Sequence, residues 1–215
     1  MVATTGQDQT LECLRSTNDC LHINSINGQS PMRKIPHGAF DEIGNFMIGP
    51  ARLEDKTEIV TLYRAVAAIE GGLARSEEEI NEEYVQHFLH KSHKTGIILV
   101  ARQAGTGQII GEIHTYAIGP RVFAHVLGEL TIAVHPNHQG SGIGKALFTE
   151  LLRQVENDRP DILRVELIAR ESNRKAIEFY QKLGFQIEGR LANRIRSTGG
   201  GYEADIPMAW QRKTD

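Results

Sequence analysis

The fold turns on Glu129-Leu-Thr-Ile-Ala-Val-His-Pro-Asn-His-Gln-Gly-Ser-Gly-Ile-Gly-Lys-Ala-Leu-Phe-Thr-Glu-Leu-Leu-Arg-Gln-Val155. Leu130, Ile132 and Val134 alternate with smaller or polar residues, the period of a strand. Pro136 and Asn137 stop it, and Gly140, Gly142 and Gly144 follow at every second position. Ile143, Leu147, Leu151, Leu152 and Val155 then recur at helical spacing, with Lys145, Glu150 and Arg153 between them. A strand, a glycine-rich turn and an amphipathic helix are predicted. Such a turn presents unpaired amides at the positive end of a helix dipole, which suits phosphate.

Two familiar phosphate loops fail against these residues. A P-loop needs glycine at Gln139 and a hydroxyl at Ala146. A dinucleotide fingerprint beginning at Gly140 needs its third glycine at Lys145.

The rest of the chain frames this stretch. Hydrophobic residues make up 40% and charged residues 24% of 215, as in a globular soluble protein. A net charge of -3 gives no sign of a nucleic-acid or bilayer partner, and no apolar run is long enough to span a membrane. Cys13 and Cys20 are expected as reduced thiols in a chain whose start lacks a secretory pattern, so the cytoplasm is the expected compartment. Residues 1–45 show no sustained period and read as an N-terminal extension, with a domain over 46–215.

Within that domain Phe46–Leu53 reads as a strand. Asp55 and Glu58 look like the cap of a helix whose inner face holds Ile59, Leu62, Tyr63, Val66 and Ile69. Ser76 and Glu79 form a capping box that opens a second helix, with Ile80, Tyr84, Phe88 and Leu89 inward. His87, His90 and His93 lie on that helix; they converge poorly and lack an acidic co-ligand, so they read as a solvated face and no metal is expected. Gly96–Ala101 and Ile109–Ile118 read as strands joined at Gly105-Thr-Gly107, forming an antiparallel meander with the central strand. Ile162–Ala169 is a further strand, parallel to the central one across the long helix. A helix from Asn173 to Gly184 and two closing strands, Phe185–Ile195 and Tyr202–Trp210, complete the pattern.

Gln139-x-x-Gly142-x-Gly144 after Val134-x-Pro136, and Asn173-x-x-Ala176-x-x-Phe179-Tyr180-x-x-Leu183-Gly184-Phe185 downstream, together resemble the two signatures of the GNAT superfamily of N-acetyltransferases. The resemblance covers residue 46 to the end. It implies an α/β (α+β) fold: a mixed, mostly antiparallel sheet flanked by helices, its central and following strands splayed into a V that holds acetyl-CoA. Carried over, the backbone of Ile132, Ala133 and Val134 would bond pantetheine and the thioester. Gln139, Gly140, Ser141, Gly142, Ile143 and Gly144 would wrap the pyrophosphate, with Lys145 adding charge, and Asn173 would contact the pantetheine arm. The implied activity is transfer of acetyl to a primary amine by direct attack, with a CoA-binding sensor or interaction module on the same fold as the alternative.

The chemistry sets further requirements. An alkyl ammonium must lose a proton before it attacks a thioester, and the departing thiolate needs a donor. Tyr180 is the candidate donor and Glu129 the candidate base; Glu112, His114 and Glu166 stay open as alternatives. Ribosomal-protein N-terminal acetyltransferases of the superfamily carry a Glu five residues before the motif asparagine, where this chain has Ile168. His135 and His138 read as loop residues beside the phosphate turn. The acceptor side is expected between Gly71–Arg75, Tyr116 and the Ser197–Gly201 hairpin. Arg75, Arg190, Arg194 and Arg196 point either to an anionic part of the acceptor or to surface salt bridges. The acceptor is a small-molecule or peptide amine, with no nucleic acid, no membrane and no metal involved; a homodimer is left open.

Overall fold

The structure, a computed structural model, describes residues 41–69, 71–196 and 200–213, with side chains from Gly44 onward. Among them are nine strands and four α-helices: β1 (Asp41–Ile43), β2 (Phe46–Pro50), α1 (Lys56–Ala67), α2 (Glu82–Thr95), β3 (Ile97–Gln103), β4 (Ile109–Ala117), β5 (Val126–Val134), α3 (Ile143–Asp158), β6 (Arg164–Arg170), α4 (Arg174–Lys182), β7 (Gln186–Ile187), β8 (Leu191–Arg196) and β9 (Tyr202–Gln211). They form one sheet in the order β1-β2-β3-β4-β5-β6-β9-β7, with β8 also paired to β9. Every pair is antiparallel except β5 with β6. This is the mixed, mostly antiparallel sheet expected. β1 pairs with β2, so Asp41–Ile43 belong to the sheet; residues 1–40, with Cys13 and Cys20, lie outside the described residues.

Two apolar layers cover the sheet, one on each face. The uninterrupted run Ile97–Ala101 explains why: Ile97, Leu99 and Ala101 join a core with α3, while Ile98 and Val100 join a second core with α1 and α2. A strand buried on both sides needs no polar alternation. α3 lies so close to β4 that a Cβ on Gly111 would come within 2.8 Å of Ile143 Cγ2, which fixes glycine there. α4 adds Ile177, Phe179, Tyr180 and Leu183 to the α3 side.

Several local expectations need correction. Asp55 stands at the N-cap of α1, but its side chain makes no bond to that helix: its carboxylate accepts from the Arg52 amide at 2.8 Å and pairs with Arg102 at 2.5 Å, closing a 3₁₀ turn at Leu53–Asp55. Ser76 and Glu79 do form the capping box, but around a separate 3₁₀ turn, Glu77–Glu79. Ile80 is extended, and α2 starts only after Asn81, whose side chain accepts from the Tyr84 amide at 2.9 Å. Ile69 is exposed rather than inward. The strand read from Phe185 to Ile195 is two short strands, both on one edge of β9 and separated by Glu188–Arg190. Among the described residues no helix is long and apolar enough to cross a membrane, and no group of three His, Cys, Asp or Glu could hold a metal.

Candidate active site

β5 and β6 pair at only two positions, Val126 with Arg164 and Leu127 with Val165. Beyond Leu127 the strands part. On the other side of β5 the ladder with β4 continues to Gly111–Val134, and the His135 amide donates to the Ile110 carbonyl at 2.9 Å. Antiparallel ladders alternate, so Ala133 and Thr131 bond to β4, while the amides and carbonyls of Ile132 and Val134 face the gap. Of the three backbone positions expected to offer free groups, Ala133 therefore has its own taken up by Glu112. The Val134 carbonyl accepts from Gln139 Nε2 at 3.2 Å, which ties the next loop to the strand end.

That loop ends in α3. Gly140 and Gly142 adopt φ 78° and 89°, left-handed values that favour glycine. Gly142 is the N-cap and brings no side chain to the helix start; the first amide to bond back is Ala146, to the Gly142 carbonyl at 3.0 Å. The amides of Ile143, Gly144 and Lys145 are left pointing out of the helix start. Lys145 is exposed beside them. The Ser141 hydroxyl donates to the His138 carbonyl at 2.5 Å, and His135 Nδ1 accepts from the Asn137 amide at 3.2 Å, so both histidines help shape the loop.

Asn173 caps α4, accepting from the Ala176 amide at 3.2 Å, and its side-chain NH2 group stays available. Tyr180 packs against Phe148, Phe179 and Phe185 with ring centroids 5.3–6.2 Å apart. Burial pushes its phenol up to about 12.

On the α1–α2 side of the gap lies a cavity of ≈ 670 Å³. Its wall includes Tyr84, Tyr116, His114, Glu129, Glu166 and Ile168. Glu129 has φ 51°, where the β4–β5 register slips between His114 and Tyr116. A bulge with its first residue left-handed turns that side chain out of the ladder, and it stands exposed at the cavity mouth. Burial pushes up the phenols of Tyr84 and Tyr116, and the Glu129 charge pushes both the same way; Arg75, 4.3 Å over the Tyr84 ring, opposes the effect there. His87 also borders the cavity, whereas His90 is exposed away from it.

Two of the expected arginines are held by acidic side chains, one of them on the cavity wall. Arg190 binds Glu171 through two bonds of 2.6 and 2.7 Å, and Arg194 pairs with Asp205 at 3.3 Å, so salt bridges account for both. Glu166 is held by Arg164 at 2.5 Å. Residues 197–199 of the hairpin lie outside the described residues.

Sequence reasoning named Glu112 and His114 but not their shared partner. Tyr63, read only as core, donates its hydroxyl to Glu112 Oε2 at 2.5 Å and lies 3.3 Å from His114 Nδ1, which is 3.1 Å from Glu112 Oε1. The only signal was a polar group on an otherwise apolar face 49 residues away.

A sheet parted at its one parallel pair, with a glycine-rich helix start at the mouth of the gap, is the arrangement the resemblance implies for an N-acetyltransferase. The Acetyltransferase (GNAT) family model matches residues 61–185, and the chain belongs to that family. It is 38% identical over 87 residues to the [ribosomal protein bS18]-alanine N-acetyltransferase of Escherichia coli, a match covering 39% of this chain and 57% of that protein. In structure it is similar to a GNAT-family acetyltransferase from Streptococcus pneumoniae (TM-score 0.69, 23% identity, 78% of this chain and 99% of that one). It is likewise similar to yncA of Salmonella typhimurium, solved with its cofactor acetyl-CoA (TM-score 0.69, 18% identity, 80% and 96%).

Proposed function

We propose that the protein transfers acetyl from acetyl-CoA to a primary amine by direct attack, without an acyl-enzyme intermediate. The observation that carries this reading is the edge of β5 that no longer pairs with β6 and leads to the bare helix start of α3. An extended arm with amide groups can bond Ile132 and Val134 as an added strand would. A diphosphate at its far end meets the amides of Gly140 to Lys145, with Gln139 holding the loop against the strand. Ala133 contributes packing, and the Asn173 NH2 group is free to meet the arm.

The chemistry follows from the same groups. The Val134 amide is a fixed donor at the gap, suited to a developing oxyanion. Tyr180, with its phenol near 12, stays protonated at working pH. Complete proton transfer to a thiolate whose conjugate acid titrates near 8.5 is uphill by about 5 kcal/mol. Tyr180 therefore serves as a hydrogen-bond donor to the leaving sulfur rather than as its proton source. Glu129, exposed at the cavity mouth, draws in the ammonium form of the acceptor.

The bS18-alanine match covers only part of this chain, and Ile168, 51% exposed in the cavity wall, stands where the resemblance implies a Glu for ribosomal-protein acetyltransferases. An alanine-terminated peptide is thus one arm of the test and small primary amines are the other. Acetyl-CoA is incubated with each, and free thiol is followed together with the thermal shift produced by CoA alone. Thiol release with one amine above the amine-free rate is expected. Stabilisation by CoA with no release from any amine would make the protein a CoA-binding module, and no stabilisation would end the reading altogether.

A further inference from the structure

Glu112 is fully buried and His114 is 2% exposed, side by side under α1 and α2. Burying a carboxylate costs several kcal/mol, and apolar residues of equal volume usually serve stability as well or better. The other buried acid, Asp55, has an evident structural task in closing a turn and holding Arg102. The Tyr63–Glu112–His114 group has no comparable one, and one end of it meets the cavity.

The hydrogen bonds fix the imidazole's protons. Burial and the neighbouring Glu112 charge push the Tyr63 phenol well above its ordinary value, so it keeps its hydrogen and donates it to Glu112. With Glu112 as a carboxylate accepting from both neighbours, His114 Nδ1 carries the hydrogen that faces it. In the neutral ring the lone pair lies on Nε2. Among the described residues that atom has no protein partner, yet Ser92 Oγ is the sole buried side-chain polar atom without one; Nε2 therefore reaches the cavity that His114 lines. Phe88 stacks on the ring at 3.9 Å and 8°, holding its plane. His114 pairs with Thr131 in the β4–β5 ladder, next to the bulge and the open edge of β5.

We infer that His114 Nε2 is the base that takes the acceptor's proton, with Glu112 and Tyr63 as positioning residues that fix the ring and balance its charge. The inference rests on the acetyl-transfer reading and replaces Glu129 as the base. An N–H bond of the ammonium breaks and the proton passes to Nε2, giving an imidazolium beside the Glu112 carboxylate. The freed lone pair attacks the thioester carbonyl, the C–S bond breaks, and the second proton shed by the attacking nitrogen ends on the thiolate. His114 returns its proton to water through the cavity.

Other titratable groups border the ring. Tyr116 on its own strand and Tyr84 on α2 have phenols raised by burial, so they stay neutral. His87 from α2 and Glu129 from β5 stand at the mouth with Arg75; across the gap are Glu166 and Arg170 of β6 and Asp205 of β9. An effect specific to the triad must therefore be separated from these by substitution within it.

The test measures kcat against pH by thiol release for the wild type, His114→Asn, Glu112→Gln and Tyr63→Phe, with CoA-induced thermal shifts run in parallel. His114→Asn keeps a donor near the Nδ1 position but has nothing at Nε2. It should lower kcat by about 10²–10³-fold and abolish the limb that rises with pH, with the CoA shift retained. Glu112→Gln removes the charge that favours the imidazolium, so its rising limb should move to lower pH. Tyr63→Phe strips a hydrogen bond from the carboxylate and strengthens its hold on the imidazolium, so the limb should move to higher pH. A purely structural triad would not shift the limb in opposite directions. Near-wild-type kcat and an unchanged limb in His114→Asn, or an unmoved limb in both partner variants, overturns the assignment alone; a wild type that releases no thiol overturns the acetyl-transfer reading with it.

Discussion

Replacing Gly142 by alanine places a Cβ on a residue held at φ 89°, while the same change at Gly144 does not. Nothing lies within 4 Å of the added atom at 142, so the cost there is conformational. A left-handed alanine costs about 1–2 kcal/mol, and the stiffer unfolded chain returns about half of that. The net loss is about 1 kcal/mol, or roughly 2–4 °C in Tm for a fold of this size. At Gly144 the added Cβ meets Ile132 Cδ1 at 3.7 Å and Val134 Cγ2 at 3.8 Å, ordinary contacts on the inner side of the helix. Alanine there gains up to about 1 kcal/mol of helix propensity. Melting with and without CoA separates stability from binding, because ligand at about 100 times its Kd should add roughly 2.7 kcal/mol. Gly144→Ala should melt slightly higher and keep the CoA shift; Gly142→Ala should melt lower and lose part of it through turned amides. A Gly142→Ala protein as stable as wild type, or a destabilised Gly144→Ala, would refute the account of the loop.

Three further outcomes follow from particular residues. Tyr180→Phe should keep its melting temperature within about 2 °C, since no group among the described residues is bonded to the hydroxyl, while kcat falls about 10²-fold at unchanged KM for acetyl-CoA, as read by thiol release. Glu129→Gln should leave stability within about 0.5 kcal/mol and raise KM for the amine several-fold with kcat little changed; a thousandfold drop in kcat would return the base to Glu129. Asp55→Ala removes one partner of Arg102, which still donates to the Gly107 carbonyl, and the acceptor of the Arg52 amide; it should cost about 1–3 kcal/mol in denaturant unfolding with no loss of CoA binding.

What the sequence disclosed is what local rules govern. The strand, glycine turn and helix from Leu130 to Val155 were legible because side-chain period, Pro136 and the spaced glycines act over a few residues. The N-cap position of Asp55 was legible, but not that its carboxylate serves Arg102, 47 positions away, because a capping pattern cannot show a distant competitor. The capping box at Ser76 was legible, but not that extended Ile80, fully buried, breaks the helix before Asn81 restarts it. The bulge at Glu129 had no signature, since a left-handed glutamate is imposed by the β4–β5 register rather than by its own preference. Alternation put Glu112 and His114 on one face; only the packing of α1 brought Tyr63 to them.

The parting of β5 from β6 leaves the backbone in two slabs, β1 to β5 and β6 to β9, laced together by a pair of residues on each strand. A guest lying along the gap would stitch them, so occupancy should stiffen the hinge between the slabs. Amide exchange at Ile132 and Val134 would then slow most, as a gauge of how far the missing seam has been sewn.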